Sequence, residues 1–172
     1  MGKKMVRQSA VFFVIAFVAL NACQQKNSNQ YPDQVGDIAF DEKVDDPAFK
    51  ICDEKAVYQY YNYSQGVEYD GEKPAIRKKF SNMGRSSLGE FGYITMRFIV
   101  NCEGKIGRFR TQQMDTSYLE KKFDNEFVGE LLSRTKSLDG WAIKRNEERK
   151  PIDYYQYLTF KIENGVVTEI LP

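Results

Sequence analysis

The chain of 172 residues contains no histidine. Ser-His-Asp and Cys-His nucleophile systems need that residue, as do most catalytic zinc sites, so the sequence excludes these enzyme classes. Carboxylates, lysine or tyrosine would have to carry any chemistry, and the many acidic residues fall in no recognisable catalytic motif. We therefore expect a protein that is not an enzyme and that has neither a cofactor nor a metal site.

The net charge is close to zero, and cysteines are few. The 25 basic and 24 acidic residues nearly balance, which gives no reason to expect a nucleic-acid partner, because such proteins carry a basic patch or stripe. The three cysteines are too few for a four-thiolate metal site. Aromatic residues, by contrast, make up 14% of the chain, so the composition is that of a folded domain and not of a disordered segment.

The longest apolar run, residues 10–20, is too short to cross a membrane, because a spanning helix needs about 20 apolar residues. Lys3, Lys4 and Arg7 precede this run, and small residues follow it. The order is typical of a secretory signal peptide, which we place at residues 1–22.

The signal ends in Leu20-Asn21-Ala22-Cys23, which resembles the lipobox of bacterial lipoproteins. The resemblance implies that Cys23 becomes the first residue of the mature chain and is lipidated, and several acyl chains anchor a protein firmly. Gln24, rather than aspartate, follows the cysteine. The resemblance therefore favours the outer membrane of a Gram-negative cell envelope, on its periplasmic or its outer side. An ordinary secreted protein, in which Cys23 has no role, is the alternative.

Three segments follow the signal. Residues 23–36 form a polar tether without periodicity, residues 37–68 an N-terminal extension that we expect to pack on the domain, and residues 69–172 the domain itself. Cys52 in the extension and Cys102 in the domain are expected to form a disulfide, because the envelope is oxidising. Two buried free thiols are the alternative.

Tyrosines cluster in the extension and just after it. A tyrosine ring combines an apolar face with a polar tip, which suits a partner-binding surface or a glycan-stacking platform, and equally a half-buried strand. Five of these residues are the candidate partner-binding residues: Tyr58, Tyr60, Tyr61, Tyr63 and Tyr69.

Periodicity predicts two helices. In DGEKPAIRKKF, Pro74 suits the first turn of a helix, and Ile76 and Phe80 share one face. In SYLEKKFDNEFVGELLSRTKSL, Ser117 and Glu120 match a capping box. Apolar residues recur in this second segment at helical spacing: Leu119, Phe123, Phe127, Val128, Leu131 and Leu138.

Alternation predicts the strands. In GYITMRFIVNCEGKIGRFRT, Gly104 supplies the turn of a hairpin, and Gly107 indicates a bulge where the alternation of the return strand breaks. Asn164-Gly165 predicts a type I′ turn that folds residues 166–171 back onto the preceding strand. Four apolar residues of the first strand fall on one face: Ile94, Met96, Phe98 and Val100.

The order helix, strand, turn, strand, helix, Trp, strand resembles the C-terminal domain of the TonB energy transducers. The resemblance lies in YDGEKPAIRKKF, GYITMRFIVNCEGKIGRFRT and LDGWAIKRNEERKPI, and it covers about residues 69–163. It implies an α+β fold, a small antiparallel β-sheet with two packed helices, to which the predicted turn adds a C-terminal hairpin strand. Trp141 is expected to fill the gap between helix and sheet; an exposed aromatic anchor is the alternative.

The same resemblance implies a lipid-anchored module that engages an envelope protein partner, because members of that family bind an extended receptor segment by strand addition. No long proline-rich segment is present, since the five prolines are scattered, so we expect no energy transduction. The added C-terminal strand is expected to cover the binding edge and to leave the tyrosine-rich segment as the binding surface. Alternatives are a lipoprotein that binds an envelope glycan or peptidoglycan through that segment, and a carboxylate-based glycoside hydrolase.

Overall fold

Five strands and two helices make up the part of the chain that the computed structural model describes, residues 38–59 and 67–171. They belong to one compact unit, Ile38–Pro172. None of the helices in these ranges has the length and apolar character needed to cross a membrane. The elements are β1 (Val57–Gln59), α1 (Glu72–Phe80), β2 (Gly92–Val100), β3 (Ile106–Met114), α2 (Asn125–Lys136), β4 (Asp153–Glu163) and β5 (Val166–Leu171).

One mixed sheet contains all five strands. Its path runs β1-β4-β2-β3, and β5 pairs with a different stretch of β4. β2 lies antiparallel between β3 and β4, and β5 is antiparallel to β4. The α+β class is confirmed, but the prediction of a wholly antiparallel sheet is wrong, because β1 pairs with β4 in parallel. β1 comes from the N-terminal segment, which is fastened to the start of β4 and runs alongside it.

The main core lies between the sheet and the two helices. The predicted alternation of β2 is confirmed, since its four core residues are 0% exposed. Ile76 and Phe80 of α1 are buried as predicted, and Phe127 and Leu131 of α2 complete the layer. Each such side chain contributes about 1.5–3 kcal/mol when it leaves water. β4 adds Tyr154, Leu158, Phe160 and Ile162 to the same core.

The bulge predicted at Gly107 is confirmed. The register of β2 against β3 shifts between Arg97 and Ile99, opposite the residues that follow Gly107. Arg108 adopts a positive φ of 54° within this bulge. A methyl group added to Gly107 would lie 2.3 Å from Cγ of Phe49, so glycine is needed here because an aromatic ring of the N-terminal segment lies against the backbone.

The second helix begins seven residues later than the capping-box pattern predicted, since its N-cap is Asp124 and not Ser117. Asp124 caps it, because its carboxylate accepts hydrogen bonds from the N–H groups of Glu126 and Phe127. The Ser117 capping box is wrong, since Asp115 Oδ1 accepts the N–H groups of Ser117 and Leu119 and holds residues 115–119 in a turn. Leu119, predicted to be a core residue, is instead 66% exposed.

The C-terminal hairpin is confirmed. Asn164 and Gly165 have φ values of 53° and 73°, as a type I′ turn requires. The turn is tied to the loop before β2, because Gly165 N–H donates to Glu90 O at 2.8 Å and Ser86 N–H donates to Gly165 O at 2.8 Å. These bonds hold β5 against the domain from its first residue.

Candidate binding face of the sheet

Among the described residues, those that cover the face of the sheet turned away from the helices extend over only half of its length. Residues 38–57 pack there and form a second, smaller cluster with Ile99 and Tyr155. The other half has no such cover among the described residues, and we call it the open face. The registers of β2, β3 and β4 place eight residues on it: Tyr93, Thr95, Arg97, Gln112, Met114, Tyr157, Thr159 and Lys161.

Neutral hydrogen-bonding groups occupy the centre of the open face. The hydroxyl groups of Thr95 and Thr159 lie 2.9 Å apart across neighbouring strands, and Gln112 stands opposite Thr95 on the other side. Tyr157 is 47% exposed and is the most open ring on these strands. The face thus combines aromatic surface with hydroxyl and amide groups that accept or donate hydrogen bonds.

Cations at the margins of the open face are paired within the chain. Lys161 Nζ lies 2.7 Å from Glu163, and this bond raises the pKa of Lys161 and lowers the pKa of Glu163. Arg110, opposite Arg97 on β3, donates to both carboxylate oxygens of Asp45 at 2.7 and 2.8 Å. Lys161 and Arg110 are therefore already neutralised by carboxylates of the same chain when a partner binds.

Asp45 links the N-terminal segment to the sheet, and its side chain is 2% exposed. The hydrogen bond from Arg110 lowers the pKa of this carboxyl below its ordinary value of 3.8. A carboxyl with a lowered pKa stabilises the fold above the unfolded-state pKa, and this contribution is lost as the pH falls through the folded-state pKa.

Asp45→Asn should therefore cost about 1.5 to 3 kcal/mol near neutral pH, the range for hydrogen bonds to charged groups. The cost should shrink as the pH falls below 3.8 and through the lower pKa of the folded state, where the wild-type carboxylate also takes up its proton. Urea unfolding of both proteins across this pH range measures the difference. Asp46→Asn is the matched control, since Asp46 is an exposed neighbour. An equal cost at neutral and acid pH would contradict the ion-pair explanation.

One end of the open face carries a stacked pair of tyrosines. The rings of Tyr93 and Tyr118 lie 5.5 Å apart and within 4° of parallel. Tyr118 adopts a φ of 61°, which is rare for a bulky side chain, and is 68% exposed. The strained turn therefore holds one ring flat over the other and leaves the outer side of the pair in solvent.

The predicted tyrosine surface is only partly described, and its two described members are not together. Tyr58 on β1 is 44% exposed, on the opposite side of the sheet from the open face, because it pairs with helix-facing Tyr154. Tyr69 is 7% exposed and contacts Trp141, so its ring is part of the core and does not reach a partner. Tyr60, Tyr61, Tyr63 and Cys23, the residue predicted to be lipidated, lie outside the described residues.

A disulfide and a buried carboxylate fasten the N-terminal segment to the domain. Cys52 and Cys102 form the predicted bond, with their Cα atoms 6.1 Å apart. Asp153, 1% exposed, accepts the N–H groups of Cys52, Asp53 and Cys102 at 2.8–3.1 Å. Nothing in the sequence around Asp153 announced this role.

Cys52, Cys102 and Asp153 are also close enough together to be considered as metal ligands. The ligand atoms of Cys52, Cys102 and Asp153 lie within 4.8 Å of one another. Both sulfur atoms are bonded to each other, and metal ligation requires free thiolates. In its oxidised form the group is therefore a structural link.

The outer edge of β4 is paired along two stretches. β1 pairs with its residues 153–155, and β5 pairs with its residues 159–163. A cleft of about 120 Å³ lies beside β5, between that strand and the end of α1. Glu169 is the one carboxylate residue in the lining of the cleft, whereas glycoside hydrolysis needs two carboxylates. The cleft gives no support to the hydrolase alternative.

Comparison with known proteins does not add a relative. The chain matches no family model, and no curated protein and no solved structure gives a significant match.

Proposed function

We propose that this protein is a lipid-anchored binding module of the cell envelope that engages an envelope protein through the open face, without transducing energy and without catalysis. One observation carries the proposal: among residues 38–59 and 67–171, none packs over one half of this sheet face, while a disulfide-linked segment covers the other half. An aromatic and polar face of this kind offers apolar contact and hydrogen bonds at the same time.

The composition of the open face suits a protein partner. Tyrosine and arginine are enriched in protein interfaces, and both occur here, with Tyr157 exposed on β4 opposite Arg97. The face is built on three paired strands, so its side chains are already positioned before binding. Binding then orders few additional groups, which lowers the entropic cost of association.

The pairing of β4 favours its face over its edge as the contact surface. Strand addition, the mode that the resemblance to TonB implies, needs unpaired backbone groups along an edge. β5 is joined to β4 by a two-residue turn and takes up the groups of residues 159–163. An external strand would have to compete with a tethered one, whose effective concentration is about millimolar or higher.

An envelope glycan or peptidoglycan is the second candidate ligand, and the stacked pair of Tyr93 and Tyr118 favours it. The exposed ring of Tyr118 offers the flat apolar surface on which a sugar ring stacks. The neutral hydroxyl and amide groups of Thr95 and Gln112 lie on the same face. Loss of binding to purified peptidoglycan in Tyr118→Ala, with Tyr58→Ala unchanged, would identify this ligand class.

Site-specific photo-crosslinking in intact cells tests the proposed surface. A photoreactive phenylalanine analogue replaces Tyr157 on the open face or, as a control of similar exposure, Tyr58 on the opposite side. We expect a discrete crosslinked protein from position 157 and none from position 58. Crosslinking from position 58 alone would move the binding surface to the tyrosine-rich segment and contradict the proposal.

A further inference from the structure

Four exposed large apolar side chains, including the three most exposed ones among the described residues, lie at one end of the sheet, where β2 begins and β3 ends. Leu88 is 69% exposed, Tyr118 68%, Leu119 66% and Phe91 51%. We call these four residues the end patch. They lie on two loops, residues 86–91 and 115–121, and exposed apolar residues that cluster in this way indicate an interaction site.

The two loops are fixed to each other and to the sheet. Lys121 donates from Nζ to Phe91 O at 3.2 Å, and its backbone N–H donates to Gln113 O at 3.1 Å. Asp115 Oδ1 accepts the N–H group of Leu119 at 3.0 Å. The loops therefore present the apolar side chains in a defined arrangement even though these side chains contribute little to the core.

The shape and charge of the end patch fit a lipid surface. The four apolar side chains stand on loops outside the helices and strands. Charges of both signs surround them, with Lys121 and Lys122 beside Asp115 and Glu120. Leucine and aromatic side chains insert at the boundary between headgroups and acyl chains, and flanking lysines extend toward the headgroups.

We propose that the end patch inserts into the surface of the lipid bilayer, so that the domain lies against the membrane in one orientation. This inference rests on the proposed lipid anchor at Cys23. The domain begins at Ile38, which packs on Ile99 near the far end of β2. The intervening residues 24–37 reach at most about 50 Å, whereas the nine residues of β2 extend over only about 30 Å. The tether thus allows the end patch to meet the membrane that holds the anchor.

Fluorescence quenching in vesicles tests this orientation. Leu119→Trp is introduced into the full-length lipidated protein, which is reconstituted into phosphatidylcholine vesicles with or without brominated acyl chains. We expect the added emission to shift to shorter wavelength and to be quenched by the brominated lipid. Tyr157→Trp on the open face is the matched control and should be neither shifted nor quenched; the native Trp141, 5% exposed, supplies the same background in both proteins.

A second experiment removes the anchor and measures the end patch alone. The mature chain from residue 23 onward, carrying Cys23→Ser and therefore neither signal nor acyl chains, is titrated with the same vesicles, and Phe91→Ser or Leu119→Ser is added to it. Each serine should weaken partitioning about tenfold, from the burial of one apolar side chain. Increasing the salt concentration should leave the partitioning unchanged, because the surrounding charges balance.

The outcomes separate the end patch from the proposed function. Unquenched emission at position 119 in protein-free vesicles, or equal partitioning of the serine variants and their parent, would overturn membrane insertion and leave the end patch to a protein partner. The lipid anchor is tested separately, by metabolic labelling with a fatty-acid analogue. No label at Cys23 would refute the anchor, and no crosslink at position 157 would refute the proposed partner-binding face.

Discussion

Trp141→Ala should lower the free energy of unfolding by about 3 to 5 kcal/mol, the cost of truncating a fully packed aromatic side chain. Trp141 is 5% exposed. Its ring meets Tyr69 and Phe98 edge-on, at centroid distances of 5.2 and 5.1 Å. The prediction that this residue belongs to the core is confirmed, and its removal leaves a cavity between the sheet and the segment that precedes α1. Urea unfolding followed by circular dichroism measures the change.

Two further variants make this test specific. Trp141→Phe should cost considerably less, because it keeps most of the apolar contact and removes the ring nitrogen Nε1, which is buried without a hydrogen-bond partner. Tyr118→Ala, which truncates a ring that is 68% exposed, should change stability by about 0.5 kcal/mol or less. A loss of under 1 kcal/mol in Trp141→Ala would contradict burial in a tightly packed core.

Replacing Cys52 and Cys102 together by alanine should cost about 4 kcal/mol, because the disulfide closes a loop of 50 residues in the unfolded chain. The bond joins the N-terminal segment to the turn between β2 and β3. Chemical denaturation of the oxidised protein and of the double variant gives the difference, and mass spectrometry without reductant verifies the bond. Full alkylation of both thiols before reduction would refute the disulfide.

The wild-type protein in excess dithiol is the control for the double variant and should show the same loss. Asp153 determines whether the loss of the disulfide releases the N-terminal segment locally or only makes global unfolding easier. Its carboxylate still accepts the backbone N–H groups of residues 52, 53 and 102 when the sulfur bond is absent. The segment should therefore remain docked in the reduced native state, with the destabilisation appearing mainly as easier global unfolding. Rapid amide exchange throughout residues 38–57 of the reduced protein would show that the carboxylate alone does not hold the segment.

Local pattern was sufficient for several elements. Alternation in β2 identified the four side chains that lie under the helices, because a strand points successive residues to opposite faces. Asn164-Gly165 identified the hairpin, because few other pairs accept positive φ at both positions. The pairing of Cys52 with Cys102 followed from the small number of cysteines and the expected compartment.

Helical spacing in residues 117–138 was misleading at its first turn. Leu119 continues the apolar period of α2, but Asp115 Oδ1 accepts the N–H groups of Ser117 and Leu119 and holds this stretch in a turn. A local hydrogen bond of aspartate competes with the helix at such a position. Leu119, predicted to be a core residue, is instead exposed and belongs to the end patch. The turn that Asp115 holds explains both observations.

The sequence by itself determined the α+β class, the helix-facing core and the C-terminal turn, since each depends on residues close together in the chain. Only the tertiary structure decided the parallel pairing of β1, the role of Asp153 and the extent of the open face. Asp153 lies about a hundred residues from the Cys52 and Asp53 N–H groups that it accepts. No local pattern encodes such a contact. Which part of the sheet residues 38–57 cover is likewise visible only in three dimensions, because it depends on their packing against Ile99 and Tyr155.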